Sequence, residues 1–122
     1  PKAFMLTIGN LAMRLARAQF SCNFFACAGY EVVDNLGFKT VEEGVAAAQA
    51  AGADIIVLCS SDDEYAELAP AAFKAIDGKQ IFVVAGAPAC TDDLKAIGIE
   101  HFINVKTNVL ETLKQFNQLL SI

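Results

Sequence analysis

In the stretch Asp54-Ile55-Ile56-Val57-Leu58-Cys59-Ser60-Ser61-Asp62-Asp63-Glu64-Tyr65, five apolar residues in a row pass directly into two serines and three acids. An apolar run without alternation is expected of a parallel strand covered on both faces, since a strand with one wet face alternates polar and apolar residues. The serines and acids signal a helix start. Ser61 and Glu64 stand three apart, the spacing at which a hydroxyl and a carboxylate cap free backbone N–H groups reciprocally, and acids suit the positive end of a helix dipole. A buried strand feeding a capped helix is the unit of a parallel α/β sheet. A second apolar run, Ile81-Phe82-Val83-Val84, is followed by Thr91, Asp92 and Asp93, a weaker version of the same signal.

Outward from these two units, three more β-rich runs complete a set of five strands, expected at Ala3–Ile8, Tyr30–Asp34, Asp54–Cys59, Gln80–Ala85 and His101–Val105, each followed by a helical pattern. Thr40 with Glu43 and Asn108 with Glu111 repeat the reciprocal cap. With right-handed crossovers, the economical architecture is a doubly wound, flavodoxin-like (Rossmann-like) five-stranded parallel sheet in the order 2-1-3-4-5, with helices on both faces. Pro70 falls inside the third helical pattern and is expected to kink or split it.

Composition agrees with a covered sheet. Of 122 residues, 55% are hydrophobic and 19% charged, which excludes disorder and leaves no room for a second folded domain. Nine basic residues against fourteen acidic ones give a net charge of −5, which argues against a grip on nucleic acid or anionic lipid. The apolar stretches are strand-sized and far short of the roughly 20 residues that span a bilayer. The chain opens Pro1-Lys2-Ala3-Phe4, without an initiator Met, and runs straight into a strand, so the expectation is one domain, residues 1–122, excised from a longer chain. Cys22, Cys27, Cys59 and Cys90 show no paired spacing and lie in or beside apolar elements, as buried reduced thiols of a cytoplasmic protein would. With His101 the sole histidine, no metal site is expected.

Ligands of such sheets bind at the carboxyl ends of the strands, near the reversal of strand order between the first and third. That places attention on Gly9-Asn10-Leu11-Ala12-Met13, Ser60-Ser61-Asp62, Gly86-Ala87-Pro88 and Lys106-Thr107. Gly9 stands alone, so it suits a turn better than a phosphate cradle, which needs several glycines. A phosphoacceptor site needs acids where Asn10 and Cys59 stand, and a flavin site has neither a hydroxyl-rich first loop nor a Trp. Cys59 or Ser60 as a nucleophile needs a base, and His101 begins the fifth strand at the opposite end of the sheet. The run Asp62, Asp63, Glu64 and Glu67 is read as a solvated helix start before a carboxylate cluster.

The loops that follow the strands carry a family likeness. Leu6-Thr7-Ile8-Gly9-Asn10-Leu11-Ala12-Met13-Arg14, Ala18-Gln19-Phe20-Ser21-Cys22-Asn23-Phe24-Phe25-Ala26-Cys27-Ala28-Gly29, Val57-Leu58-Cys59-Ser60-Ser61-Asp62-Asp63-Glu64-Tyr65 and Phe82-Val83-Val84-Ala85-Gly86-Ala87-Pro88 resemble the cobalamin-binding domain of methylmalonyl-CoA mutases. The likeness covers essentially the whole chain and is greatest to the C-terminal domain of the small, non-catalytic subunit of heterodimeric mutases. Cofactor-binding members carry Asp-x-His-x-x-Gly in the first loop, where the histidine ligates cobalt. Leu11, Met13 and Ala16 stand at those positions, and a leucine cannot orient an imidazole as the second-shell carboxylate does. The family's Ser-x-Leu corresponds to Ser60-Ser61-Asp62, and its Gly-Gly pair to Gly86-Ala87. The resemblance thus implies a degenerate pocket at Leu11, Met13, Ala16, Ser60, Ser61, Asp62, Gly86 and Ala87, with no cofactor bound by this domain. It also implies a large-subunit partner that carries adenosylcobalamin and the isomerase chemistry, methylmalonyl-CoA to succinyl-CoA and back.

At 100° per residue the first helix shows two apolar sides: Leu11, Leu15, Cys22 and Phe25 on one, and Met13, Phe20, Phe24 and Cys27 nearly opposite, with Arg14, Arg17 and Ser21 on one flank. One side must cover the sheet. The other, Met13, Phe20, Phe24 and Cys27, either meets a partner or packs on the last helix, whose Val109, Leu113, Phe116 and Leu120 form an apolar row. Two further functions stay open from the residues. One is a small-molecule sensor lined by Met13, Ser60, Asp62 and Gly86, and the other is an enzyme using Cys59 and the acidic run.

Overall fold

A computed structural model of the chain describes residues 2–9, 11–27, 29–34, 37–86, 88–104 and 109–120. Five strands and five α-helices alternate: β1 (Lys2–Thr7), α1 (Leu11–Ala26), β2 (Glu31–Val33), α2 (Val41–Ala50), β3 (Ile55–Cys59), α3 (Tyr65–Ile76), β4 (Ile81–Ala85), α4 (Thr91–Ala96), β5 (His101–Ile103) and α5 (Val109–Leu119). The strands form one parallel sheet in the order β2-β1-β3-β4-β5, with Met5 beside Val57, Val57 beside Val83 and Val83 beside His101. This is the expected doubly wound topology, with β1 and β3 meeting where the order reverses.

The uninterrupted apolar strands are buried on both faces because successive side chains enter different cores. Ile55, Val57, Cys59, Val83 and Ala85 point into a core closed by Phe24 and Phe25 of α1 and by Leu113 and Phe116 of α5. Ile56, Leu58, Phe82 and Val84 enter the other core, closed by Val41, Val45, Tyr65, Ala69, Ala72, Ile76 and Leu94. Close packing there depends on Gly44 of α2, where a Cβ would come within 2.6 Å of the Leu6 side chain. No helix among the described residues is long and apolar enough to cross a membrane.

Several local expectations are corrected. α3 runs unbroken through Pro70 rather than splitting. Pro70 is the sixth of the twelve residues, so its missing N–H costs a single backbone bond, and the buried face of Tyr65, Ala69, Ala72 and Ile76 holds the segment in place. The Thr40 cap forms, with its hydroxyl accepting from the Glu43 N–H at 3.2 Å. The Ser61 cap does not, because its hydroxyl is turned onto the Glu64 carboxylate instead. Thr91 is the first residue of α4 rather than its cap and donates to the Pro88 carbonyl oxygen at 2.5 Å. The β2 and β5 strands are three residues each, shorter than expected. Asn108 and Val105 lie outside the described residues.

The two-sided pattern of α1 resolves differently from expectation. The line that faces β1 and β3 runs through Arg14, Arg17, Ala18, Ser21 and Phe25, so the supposed polar flank lies against the sheet. Leu15, assigned to the sheet side, is 55% exposed, whereas Phe24 is 4% exposed and belongs to the core. The apolar residues on either side are the shoulders of one wide face. Small Ala18 and Ser21 let the helix approach the strands, and the arginines at its amino end reach beyond the strand ends to polar partners.

Candidate functional site

At the carboxyl end of β1, Gly9 adopts a φ of +83°, a left-handed turn suited to glycine. Its missing side chain also makes room, for a Cβ would lie 2.3 Å from Glu64 Oε2 and 2.6 Å from Ser60 Oγ. Glu64 is held there by both serines that follow β3: Ser61 Oγ donates to its Oε1 at 2.6 Å and Ser60 Oγ at 3.1 Å. The adjacent Tyr65 is fully buried, and burial pushes its phenol far above the usual range, so it remains protonated. Its oxygen accepts from the Ser60 N–H at 2.9 Å and donates to the Ala85 carbonyl oxygen at 2.5 Å, stapling the ends of β3 and β4.

Across the reversal point, Arg17 reaches from α1 between those two strand ends. One guanidinium nitrogen, Nη1, donates to Asp62 Oδ1 at 2.9 Å and to the Ala85 carbonyl oxygen at 2.6 Å. Burial opposes the charge on Arg17, but its hydrogen bond to the Asp62 carboxylate and the nearby Tyr65 oxygen outweigh it and hold the guanidinium more firmly protonated than usual. The residue beneath it is Gly86, at φ +146°, where a Cβ would lie 1.7 Å from Nη1 and 2.7 Å from Asp62 Oδ1. Arg14 stands nearby, donating to the Gly9 carbonyl oxygen at 3.4 Å and packed over Gly37.

Of the residues singled out in the sequence, Ser60, Ser61, Asp62 and Gly86 come together in this cluster. Met13 is half-buried and Ala16 exposed on α1, while the side chain of Leu11 and all of Ala87, Asn10, Lys106 and Thr107 lie outside the described residues. Arg17, Glu64 and Tyr65 complete the cluster and were not assigned to it by sequence. The signal for Arg17 was its place on the Arg14, Arg17, Ser21 line, which reads as a wet flank until the helix is docked.

The thiol beside the cluster is not activated. Cys59 is fully buried, and its thiol is pushed up to about 12 by burial, with the Ser21 hydroxyl pulling weakly the other way. His101 begins β5 at the amino end of the sheet, packed edge-on against Phe116 at 5.4 Å, so it serves Cys59 in no way. Asp62 and Glu64 are engaged by Arg17 and the serines, and among the described residues no three His, Cys, Asp or Glu side chains converge as metal ligands. All four thiols are free, but burial is full only for Cys59. Cys22 and Cys90 are half-buried and Cys27 is exposed, since it lies past the end of α1. Beside the cluster, an open groove of about 500 Å³ is lined by Asp62, Asp63, Ala66, Ala89 and Cys90. Of the four residues expected to line a sensing pocket, Asp62 alone borders it.

No protein-family model matches the chain. The chain is similar to the methylmalonyl-CoA mutase small subunit of Porphyromonas gingivalis, at 72% identity over 117 residues, 96% of this chain and 19% of that protein. It is also similar to the methylmalonyl-CoA mutase small subunit of Streptomyces virginiae, at 40% identity over 76 residues, 62% of this chain and 12% of that protein. The chain thus spans about a fifth or less of the length of these curated relatives. Among solved structures, chemotaxis protein CheY4 of Vibrio cholerae matches with a TM-score of 0.54 and 20% identity, covering 97% of this chain and 98% of that one, a likeness of fold alone.

Proposed function

The chain is homologous to part of the methylmalonyl-CoA mutase small subunit, and from that premise we propose that it is the C-terminal structural domain of such a subunit and does not itself bind cobalamin. Its partner is a catalytic large subunit, on which adenosylcobalamin and the isomerisation of methylmalonyl-CoA and succinyl-CoA reside. The observation that carries this reading is the filling of the carboxyl-end cleft: Glu64 occupies the room over Gly9, and Arg17 with Asp62 the room over Gly86. The residues present do not fit the cofactor. A ligand tail entering between the strand ends would displace an ion pair and three hydrogen bonds, and Met13 offers a thioether where cobalt would require an imidazole.

The partnership is tested by co-expressing the full small subunit that contains this domain with a mutase large subunit. Co-purification at one-to-one stoichiometry is expected, and separate elution contradicts the proposal. Of the four residues first considered for contact, Phe24 is committed to the core and Phe20 packs partly against it, which leaves Met13 and Cys27 with Phe20 as the candidates.

A further inference from the structure

The cleft at the carboxyl ends of β1, β3 and β4 could be closed in two ways: by collapse of apolar side chains into it, or by polar side chains laid across a cradle that keeps its shape. The described residues favour the second. Gly9 and Gly86 both keep positive φ values and no side chain, so the backbone retains a concave outline. What fills it is charged: Glu64, pinned by Ser60 and Ser61, and Arg17, whose Nη1 joins α1 to Asp62 and to the Ala85 carbonyl oxygen. The walls do not depend on Arg17. Tyr65 ties the Ser60 N–H to the Ala85 carbonyl oxygen from beneath, the β3–β4 ladder runs from Ile55 beside Ile81 to Leu58 beside Val84, and the Gly86 N–H donates to Ile103 at 2.7 Å.

We infer that Arg17 is a latch across a preserved cleft at the carboxyl end of the sheet, holding it shut through Asp62 and the Ala85 carbonyl oxygen, so that removing the guanidinium leaves a vacancy that accepts a small guanidinium-class cation. The vacated site presents a carboxylate, one carbonyl oxygen and a glycine floor, a donor-poor and acceptor-rich surface that suits a planar cation with N–H groups on its edge. The inference rests on reading the cleft as closed to cobalamin, and the two fail separately: cobalamin uptake by the unaltered chain defeats that reading, whereas the latch is judged on variants without any cofactor present.

The test is amide hydrogen exchange on the chain and on Arg17→Ala. Loss of a charge-assisted tie should speed exchange by about tenfold or more at the Glu64 and Tyr65 amides, which donate to the Ser61 and Asp62 carbonyl oxygens, and in the second turn of α1, while β3 and β4 keep their protection. Millimolar methylguanidinium should reverse the change in Arg17→Ala, methylammonium should not, and neither should act on Arg17→Ala combined with Asp62→Asn. Unchanged exchange at the Glu64 and Tyr65 amides, equal acceleration in β3 and β4, or failure of methylguanidinium to reverse the effect overturns the latch. Should Arg17→Ala fail to fold, Asp62→Asn alone decides: the same segments accelerate, by a smaller factor, if the latch is real, and stay unchanged if it is not.

Discussion

His101 is held at the amino end of β5 with its ring edge toward Phe116, and burial keeps its imidazole below the ordinary value, with Glu100 pulling weakly upward. The folded chain therefore binds less proton at this site than the unfolded chain does as pH falls through about 6.5. The sign follows directly: this residue's contribution is fully present above that value, is lost as the medium is acidified through it, and levels off below the lower folded-state value. Urea unfolding of the chain and of His101→Gln at pH 7.5 and 5.5 should show a smaller drop in stability for the variant. An equal or larger drop would place the acid sensitivity elsewhere. At the same scale Cys59 shows how misleading a residue type can be, since the chemistry of a thiol is cancelled by complete burial.

Among the elements, β3 and β4 were legible from their residues alone, because an unbroken apolar run has one comfortable place, the middle of a sheet covered on both sides. Strand order followed from the parallel connections. The helix α1 was not legible, because its apolar residues sit on two shoulders with Arg14, Arg17 and Ser21 between them. Helical spacing reports which residues share a face but not that a serine and two arginines, satisfied beyond the strand ends, can be the centre of the buried one. The docking makes an ordered prediction. Phe24→Ala should cost about 3 to 5 kcal/mol as a core deletion, whereas Leu15→Lys should change stability by no more than about 0.5 kcal/mol. Chemical denaturation of both variants checks this, and the reverse order would restore the two-sided assignment. The Ser61 cap was misread for a related reason: the spacing to Glu64 is right, but the carboxylate is used over Gly9 rather than at the helix end.

For the whole molecule, the apolar composition belongs to two cores on either side of one sheet. The place where relatives of this topology hold ligands is instead taken by Arg17, Asp62, Glu64 and two serines. The candidate site was half visible in advance: Ser60, Ser61, Asp62 and Gly86 lie where strand ends must be, but the side chains that fill the space come from α1 and from the turn before α3, and their reach depends on how those elements pack. Whether this domain is a closed scaffold is decided by a titration of the chain with hydroxocobalamin followed by absorbance and gel filtration. The expected result is a spectrum identical to free cofactor and no cofactor eluting with the protein. Stoichiometric retention with the spectrum of a protein-ligated cobalt would contradict it.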